Sequence, residues 1–488
     1  MRLGKLLESI ECDIGKCADS CEVTGVVTDS RQVRKGSVFV AFKGDTRDGA
    51  SYISNAVEQG AAVVVCAKDA VVSDKVCVVQ VDDPRLAAGL LASSFYGNPS
   101  ASLDVFGITG TNGKTTTAYM TRDILRRAQR NPGLMGTVEY QVGERVIPAL
   151  RTTPSSSEIH SLLAQMVSAG CGSAVMEVSS HGIVQQRIAG VEFDVAVFTN
   201  LSRDHLDYHK SMEEYFEAKA GFFEGLGAEG NKTIAVVNGD DPWGKRLSDM
   251  HKNSGKLITF GTSEDCDVAA DDIELSPGIT SFTARTPWGD AKVVLRLLGR
   301  YNVYNALAAI ASCGIINVDI DVMAQSLSDL SAVPGRLEEI HGDSGFQVFV
   351  DYAHTDDALE KVLATLREIT RGRLISVFGC GGDRDRTKRP AMAEVSGRLA
   401  DISIVTSDNP RSEKPEDIIT EICAGFAPDA EYEVVTDRRK AITAALQMAV
   451  EGDIVLVAGK GHEGYQELLN TTIPFDDRRV VCECLEEL

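Results

Sequence analysis

This sequence of 488 residues has no C-x-x-C pair, no long apolar run and no excess of basic residues. Each absence closes off a class of protein. Without a run near the ~18–20 apolar residues that cross a bilayer, no membrane-spanning helix is expected. Residues 1–15 (MRLGKLLESIECDIG) lack an apolar signal-like core and carry Glu8 and Glu11, so no secretory signal is expected and the cytoplasm is the predicted location. Twelve cysteines are scattered along the chain. Cys12, Cys17 and Cys21 have loose ligand-like spacing, but no matching Cys/His pair stands near them, so reduced thiols are expected. A net charge of −22 disfavours nucleic acid and anionic membrane as partners, since both are polyanions. It leaves room for an anionic small substrate in a local basic pocket. No 20–50-residue repeat and no low-complexity tract is present.

What is present is an ordinary globular composition in a chain long enough for about three domains. Residues 1–100 hold short strand signals, SVFVAF and AAVVVC, around the helical YISNAVEQG. From Asp104 the pattern becomes strand, glycine-rich turn and helix (DVFGITGTNGKTTTAYMTRDILRRA), followed by the strand-like SAVMEVSS, FDVAVFTN and TIAVVNGDD. Strands alternating with helices predict a mostly parallel sheet covered on both faces. Residues 267–298 alternate and turn, which predicts a small antiparallel sheet attached to this domain. SAVPGR reads as a linker, and from Phe346 a second α/β unit begins, with four apolar strands each running into a polar loop. The predicted fold class is therefore α/β with three domains: 1–100; 101–332, a P-loop ATPase-type domain; and 333–488, a Rossmann-like domain.

The strongest local signal is GITGTNGKTTT, Gly107–Thr117. Backbone N–H groups of Gly110, Thr111, Asn112 and Gly113, with the following helix start at Thr116, can cradle phosphates. Lys114 would reach the terminal phosphates and the Thr115 hydroxyl could ligate Mg²⁺. Glu177 ends a buried strand, where an acid is costly unless paired or metal-bound. His205 lies just past another strand, amid Asp204, Asp207 and His209; taken alone it reads as a hydrogen-bonded loop residue. Lys219, taken alone, reads as a helix-surface residue pairing with Glu214 or Glu217. In VTSDNPRSEK the chain leaves a strand through an Asp-Asn-Pro turn and presents Arg411, a planar fork suited to a carboxylate or phosphate. The plainer reading of Arg411 is a surface ion pair with Glu413 or Glu416.

The chain resembles the ATP-dependent Mur ligases of peptidoglycan synthesis over nearly its whole length. The motifs that carry the likeness are TDSRQVRKGSVFVAFKG, GTNGKTT, RTTP, EVSSHG, TNLSRDHLDYH, EAKAGFF, LLGRYNVYNALAA, PGRLE, VDYAHTDDAL, FGCGGDRDRTKRP, SDNPRSE and GKGHEGYQ. The pattern is most like the family member that adds the third amino acid of the stem peptide. The resemblance implies an N-terminal domain holding uridine nucleotide, a central ATPase domain and a mobile C-terminal domain. It implies UDP-MurNAc-L-Ala-D-Glu, ATP and a diamino acid as substrates, Mg²⁺ as cofactor and a monomeric chain. It places Thr115 and Glu177 at one Mg²⁺ and His205 and Lys219 at a second, with Lys219 carbamylated by CO₂. Asn305, Arg336 and Asp351 match nucleotide-contacting positions. Thr28, Ser30, Asp45, Thr46 and Arg47 match the uridine site, and Arg151, Thr152, Thr153, Ser179, Gln185 and Arg187 the MurNAc-dipeptide site.

In the C-terminal unit, Arg384, the Asp408–Asn409–Pro410–Arg411 turn, Gly459 and Glu463 sit at three predicted strand exits of one sheet, where loops converge on ligands. Two arginines with acidic and amide groups suit an amino acid carrying carboxylate and ammonium at its far end. By resemblance this is meso-diaminopimelate, with lysine or another diamino acid as the alternative. A P-loop ATPase switch would use GTNGKT without making an amide. A dinucleotide oxidoreductase is disfavoured because FGCGG does not complete G-x-G-x-x-G.

Overall fold

The computed structural model describes residues 1–14, 21–44, 47–70, 76–276, 278–342, 344–469 and 471–488. Three large sheets divide the chain. The first runs in the order Asp13–Ile14, Cys77–Val81, Val63–Ala67, Ser37–Val40, Gly25–Val27, parallel except for its first pair. Its central strands are buried along their length because both faces are covered, with Val38, Val63 and Leu91 in one layer and Phe39, Val64 and Cys66 in the other. The helix Pro84–Phe95 starts where the Asp83 carboxylate accepts the backbone N–H of Arg85 and Leu86 and Pro84 fills the first turn. Cys77 is disulfide-bonded, unlike the reduced state expected of every thiol. Cys17, Asp45 and Thr46 lie outside the described residues.

The second sheet has a parallel centre ordered Val268–Ser276, Leu257–Gly261, Ile234–Asn238, Val195–Phe198, Asp104–Thr109, Ser173–Glu177, Pro132–Met135. Antiparallel strands extend it at both edges. At one, Ile279–Thr286 and Gly289–Leu295 continue from Val268–Ser276. They form no separate sheet, since Phe260 and Gly261 pair with Val268 and Ala269. At the other edge Glu139–Val142 and Arg145–Pro148 add a second extension that the sequence reading does not contain. Helix Lys114–Arg127 packs on helix Arg300–Ile315, which is buried on nearly every side between that helix and the sheet.

The third sheet is ordered Glu338–Ile340, Gln347–Asp351, Ile454–Ala458, Leu374–Phe378, Ile402–Val405, Tyr432–Val434, parallel except for the first pair. Its edge strand joins before the expected start at Phe346. The strands ending at Asp351, Phe378, Val405 and Ala458 all discharge their loops at one edge, which gathers chemically reactive side chains there. A hairpin, Tyr465–Leu468 with Thr471–Pro474, follows. Among the described residues no helix is long and apolar enough to cross a membrane.

Candidate active site

A cleft of about 660 Å³ opens between the second and third sheets. Thr111 to Thr116, Asn305, Arg336 and Asp351 all line it, together with Glu177 and His205. Gly113 sits in the left-handed region at the cap of helix Lys114–Arg127, and a Cβ there would collide with the Asn305 side chain. Gly110 likewise packs on Thr199. These tight approaches leave backbone N–H groups and the helix start facing the cleft. Lys114 Nζ donates to the Gly110 and Thr111 carbonyls at 2.9 and 2.8 Å, so the ammonium is curled over its own loop. Burial lowers its pKa, while Glu177 and Asp204 oppose that shift.

Glu177 is buried, and its carboxylate accepts from the Thr137 N–H and hydroxyl at 2.9 Å and from the Thr115 hydroxyl at 3.0 Å. Arg336 also donates to Thr115 Oγ1 at 3.0 Å and lies over the Tyr352 ring. Asp351 accepts from the N–H groups of Leu337 and Ala353, which fixes the turn that carries Arg336. Lys219 is not on the helix surface. It is buried, donates to Gly110 O at 2.9 Å and stands 4.6 Å from the Tyr215 ring centroid. Burial first, then Lys114, hold its pKa well below the ordinary lysine value, with Asp204 opposing. His205 adopts φ +54°, with Asp204 accepting its N–H, and its ring meets His181 edge-on.

Residues whose motifs match the family's dipeptide site cluster beside Glu177. The Thr153 hydroxyl bonds Glu177 O, Ser179 Oγ and the Ser179 N–H; the Thr137 and Thr152 hydroxyl oxygens lie 3.1 Å apart. Arg187 bonds Thr153 O and the Gln185 side chain. Arg151 is exposed, and its charge helps hold the Asp29 carboxyl below the usual range, after Arg31. Arg47 is exposed, with Tyr52 OH at 3.4 Å.

Arg384, Asp408–Arg411, Gly459 and Glu463 converge at the third sheet's edge, outside the 660 Å³ cleft. Arg411 has φ +51°; its Nη1 donates to Gly382 O at 2.8 Å and its Nε lies 2.7 Å from Glu467 Oε2. Its anion in this structure is thus Glu467 on the hairpin rather than Glu413 or Glu416. Glu413 instead binds the buried Arg389. Asn409 Nδ2 donates to Glu463 at 2.9 Å, and a Cβ on Gly459 would collide with Asp408. Arg384 is exposed and donates to the Asp383 carbonyl. Two residues missing from the sequence reading belong here: Glu467, and Lys460 of GKGHE, fully buried between Asn409 and Glu463.

A polar clasp ties the phosphate loop to the third sheet's domain. Asn112 Nδ2 and Ser202 Oγ both donate to Asp357 Oδ2 at 2.8 Å, and Arg203 pairs with Asp356 at 2.7 Å. Both acids lie in the first turn of helix Asp356–Ile369, where the helix dipole favours them.

Three family models match successive parts of the chain: "Mur ligase family, catalytic domain" at residues 22–96, "Mur ligase middle domain" at 108–313, and "Mur ligase, glutamate ligase domain" at 335–461. A Clostridium botulinum protein is 42% identical over 495 residues, covering 100% of both chains. One from Geobacillus thermodenitrificans is 44% identical, covering 96% of this chain and 95% of its own. Both are UDP-N-acetylmuramoyl-L-alanyl-D-glutamate–2,6-diaminopimelate ligases. A solved structure of a ligase with that name superposes with a TM-score of 0.69 at 32% identity, covering 100% of this chain and 99% of its own.

Proposed function

Given that this chain belongs to the Mur ligase family, we propose that it joins meso-2,6-diaminopimelate to the D-Glu γ-carboxylate of UDP-MurNAc-L-Ala-D-Glu at the expense of ATP. The observation that carries the reading is the cleft, which brings Lys114, Thr115 and Glu177 of one domain against Arg336 and Asp351 of the next. A switch ATPase needs the first three alone. The γ-carboxylate attacks the ATP γ-phosphate to give an acyl phosphate and ADP, and the incoming amine then displaces phosphate through a tetrahedral intermediate. Both steps crowd anions together, so placement and charge neutralisation carry the catalysis.

Lys114 uncurls from its loop carbonyls onto the transferred phosphoryl group, and the N–H groups of the loop hold the remaining phosphates. Asn305 and Asp351 position the nucleotide, and Arg336 neutralises its charge. Thr152, Thr153, Ser179, Gln185, Arg187 and Arg151 orient the dipeptide; Thr28, Ser30 and the 45–47 loop hold the uridine end. The clasp at Asp357 keeps water from the acyl phosphate.

The donor set fits Mg²⁺. Glu177 is a buried carboxylate whose direct donors are neutral, and Thr115 adds a hydroxyl, an all-oxygen pair of the kind this ion takes beside substrate phosphates. Among the described residues no group of three or more His, Cys, Asp or Glu could hold a metal unaided, as expected where phosphate completes the shell. Bound there, the ion supplies charge neutralisation at phosphate oxygens. Lys219 fits carbamylation, because burial holds its pKa well below the ordinary lysine value and so favours the free amine that adds CO₂. The product is an anionic oxygen donor beside His205.

Arg411, Arg384, Asp408, Asn409, Pro410, Gly459 and Glu463 take the far end of the amino acid. The enzyme works as a cytoplasmic monomer. Phosphate release, measured with diaminopimelate, lysine and ornithine in parallel, tests the whole reading. Release should require ATP, the UDP-muropeptide and diaminopimelate together; release without either acceptor substrate would make the protein an ATPase of another kind.

A further inference from the structure

Lys460 has no role in the chemistry above, yet it is a fully enclosed charge at the amino-acid end of the site. Its side chain is 0% exposed. Nζ donates to Asn409 Oδ1 at 3.0 Å and Glu463 Oε2 at 3.1 Å, and lies 4.0 Å from Asp408 Oδ1. The Tyr465 ring stands 5.7 Å away. Those contacts face inward, so the ammonium is not free to grip a ligand carboxylate. We propose that Lys460 is a positioning residue that keeps Asp408 and Glu463 ionised together, so that the pair receives the distal ammonium of the incoming diamino acid. This rests on the function proposed above.

The charges at this spot explain why such a group is needed. A largely enclosed carboxylate beside a second one is costly to ionise, because desolvation and repulsion each favour a proton on it. Burial and then Asp408 push the Glu463 carboxyl up, while Lys460 pulls it down. With Lys460 present the trio carries one net negative charge, ready for a cationic ligand. Without it a proton takes the ammonium's place, and the ligand must expel that proton to bind.

The neighbouring charged groups do not replace Lys460. Arg438 is bonded to Asp477, Arg411 to Glu467, and Arg336 lies over Tyr352. Burial raises Tyr352 and Tyr465 and lowers His354 and His462, so these four keep one charge state from about pH 7 to about pH 9. Among these groups the Glu463 carboxyl, pushed up by burial and by Asp408, is the one that responds to proton activity.

The test compares the full-length wild type with Lys460→Met, measuring the diaminopimelate KM by phosphate release across that pH range. Substrate ionisation cancels in the ratio of the two KM values. The ratio should be large near neutrality and fall by up to about tenfold per pH unit, the signature of one displaced proton. KM for ATP and for the UDP-muropeptide should stay at wild-type values. Adding Glu463→Gln to Lys460→Met should abolish the slope. A ratio that is flat with pH, or an equal loss for all three substrates, overturns the proposal. If Lys460→Met does not fold, Lys460→Gln is read by the same ratio, and the infrared carboxyl bands of the wild type give a measurement that needs no lysine variant. A protonated-carboxyl band near neutrality that vanishes in Glu463→Gln overturns the proposal; its absence supports it. A wild type whose phosphate release ignores diaminopimelate would defeat the proposed function instead.

Discussion

Replacing Arg411 by alanine tests how the chain tells diaminopimelate from lysine, and the structure sets the size of the effect. Lysine has the same chain and distal amine but no distal carboxylate. Were the guanidinium sealed in a closed pocket, lysine would strand it at a cost of roughly 3–5 kcal/mol. It is not sealed: its side chain is 25% exposed, and Glu467 waits 2.7 Å away as an internal counter-ion. When lysine occupies the site Glu467 stays on the fork, so no charge is stranded. What diaminopimelate gains is then a charge-assisted hydrogen bond, worth about 1.5–3 kcal/mol, or about 10- to 150-fold in kcat/KM. Steady-state kinetics of Arg411→Ala should show that loss with diaminopimelate, mostly in KM, with lysine turnover changed less than about threefold. Glu467→Gln removes the competing carboxylate and should lower the diaminopimelate KM. An unchanged diaminopimelate KM in Arg411→Ala, or equal losses with both amino acids, would refute the assignment.

Lys114→Ala should reduce acyl phosphate formation by ~10²–10³, the usual worth of one charged contact on a transferring group; near-normal turnover by the folded variant would remove Lys114 from the phosphate site. Lys219→Ala should be nearly inactive and partly rescued by short-chain carboxylates, whereas Lys219→Arg should resist rescue. Mass spectrometry of active enzyme under CO₂, finding only the free amine, would count against the carbamate. Arg389 hydrogen bonds hold the Glu413 carboxyl at about 2, below its ordinary 4.5. A depressed carboxyl stabilises the fold above the unfolded value and loses that contribution as pH falls toward the folded one. Glu413→Gln should therefore melt below wild type at neutral pH, with the gap closing between about pH 4.5 and about pH 2; a gap independent of pH would mean that the pair contributes by packing alone.

The parallel strands were readable because burial on both faces turns them into short apolar runs such as VVVCA, LISVF and IVLVA. The second antiparallel extension was missed although EYQVGERVIP carries a glycine turn between two alternating runs. Four-residue strands give too short a period to stand out. The strand–glycine turn–helix unit at 104–127 was legible from its glycines, lysine and threonine between an apolar run and a helical one. The position of Lys219 could not be read from charge spacing, which favoured Glu214 and Glu217. The signal lay in its flanks, since Tyr215, Phe216, Ala220 and Phe223 are all buried and carry the lysine inward with them. Lys460 stood inside a motif already singled out, but burial of its ammonium depends on Asn409 arriving from another strand exit. The Glu467–Arg411 pair likewise depends on how the hairpin folds back, which no local pattern encodes.

The Asp357 clasp has a thermodynamic corollary. Asn112 sits in the glycine-rich loop, and Asp357 lies in the first turn of a helix of the third sheet's domain, so occupancy of that loop and the position of that domain share one set of hydrogen bonds. Any two ligands that both favour the engaged arrangement must each raise the other's affinity by the same factor, and a ligand that opposes it must lower theirs. Ordered addition of substrates can therefore arise from these few polar contacts without a dedicated gate. A small molecule wedged at Asp357 would weaken nucleotide and amino acid together.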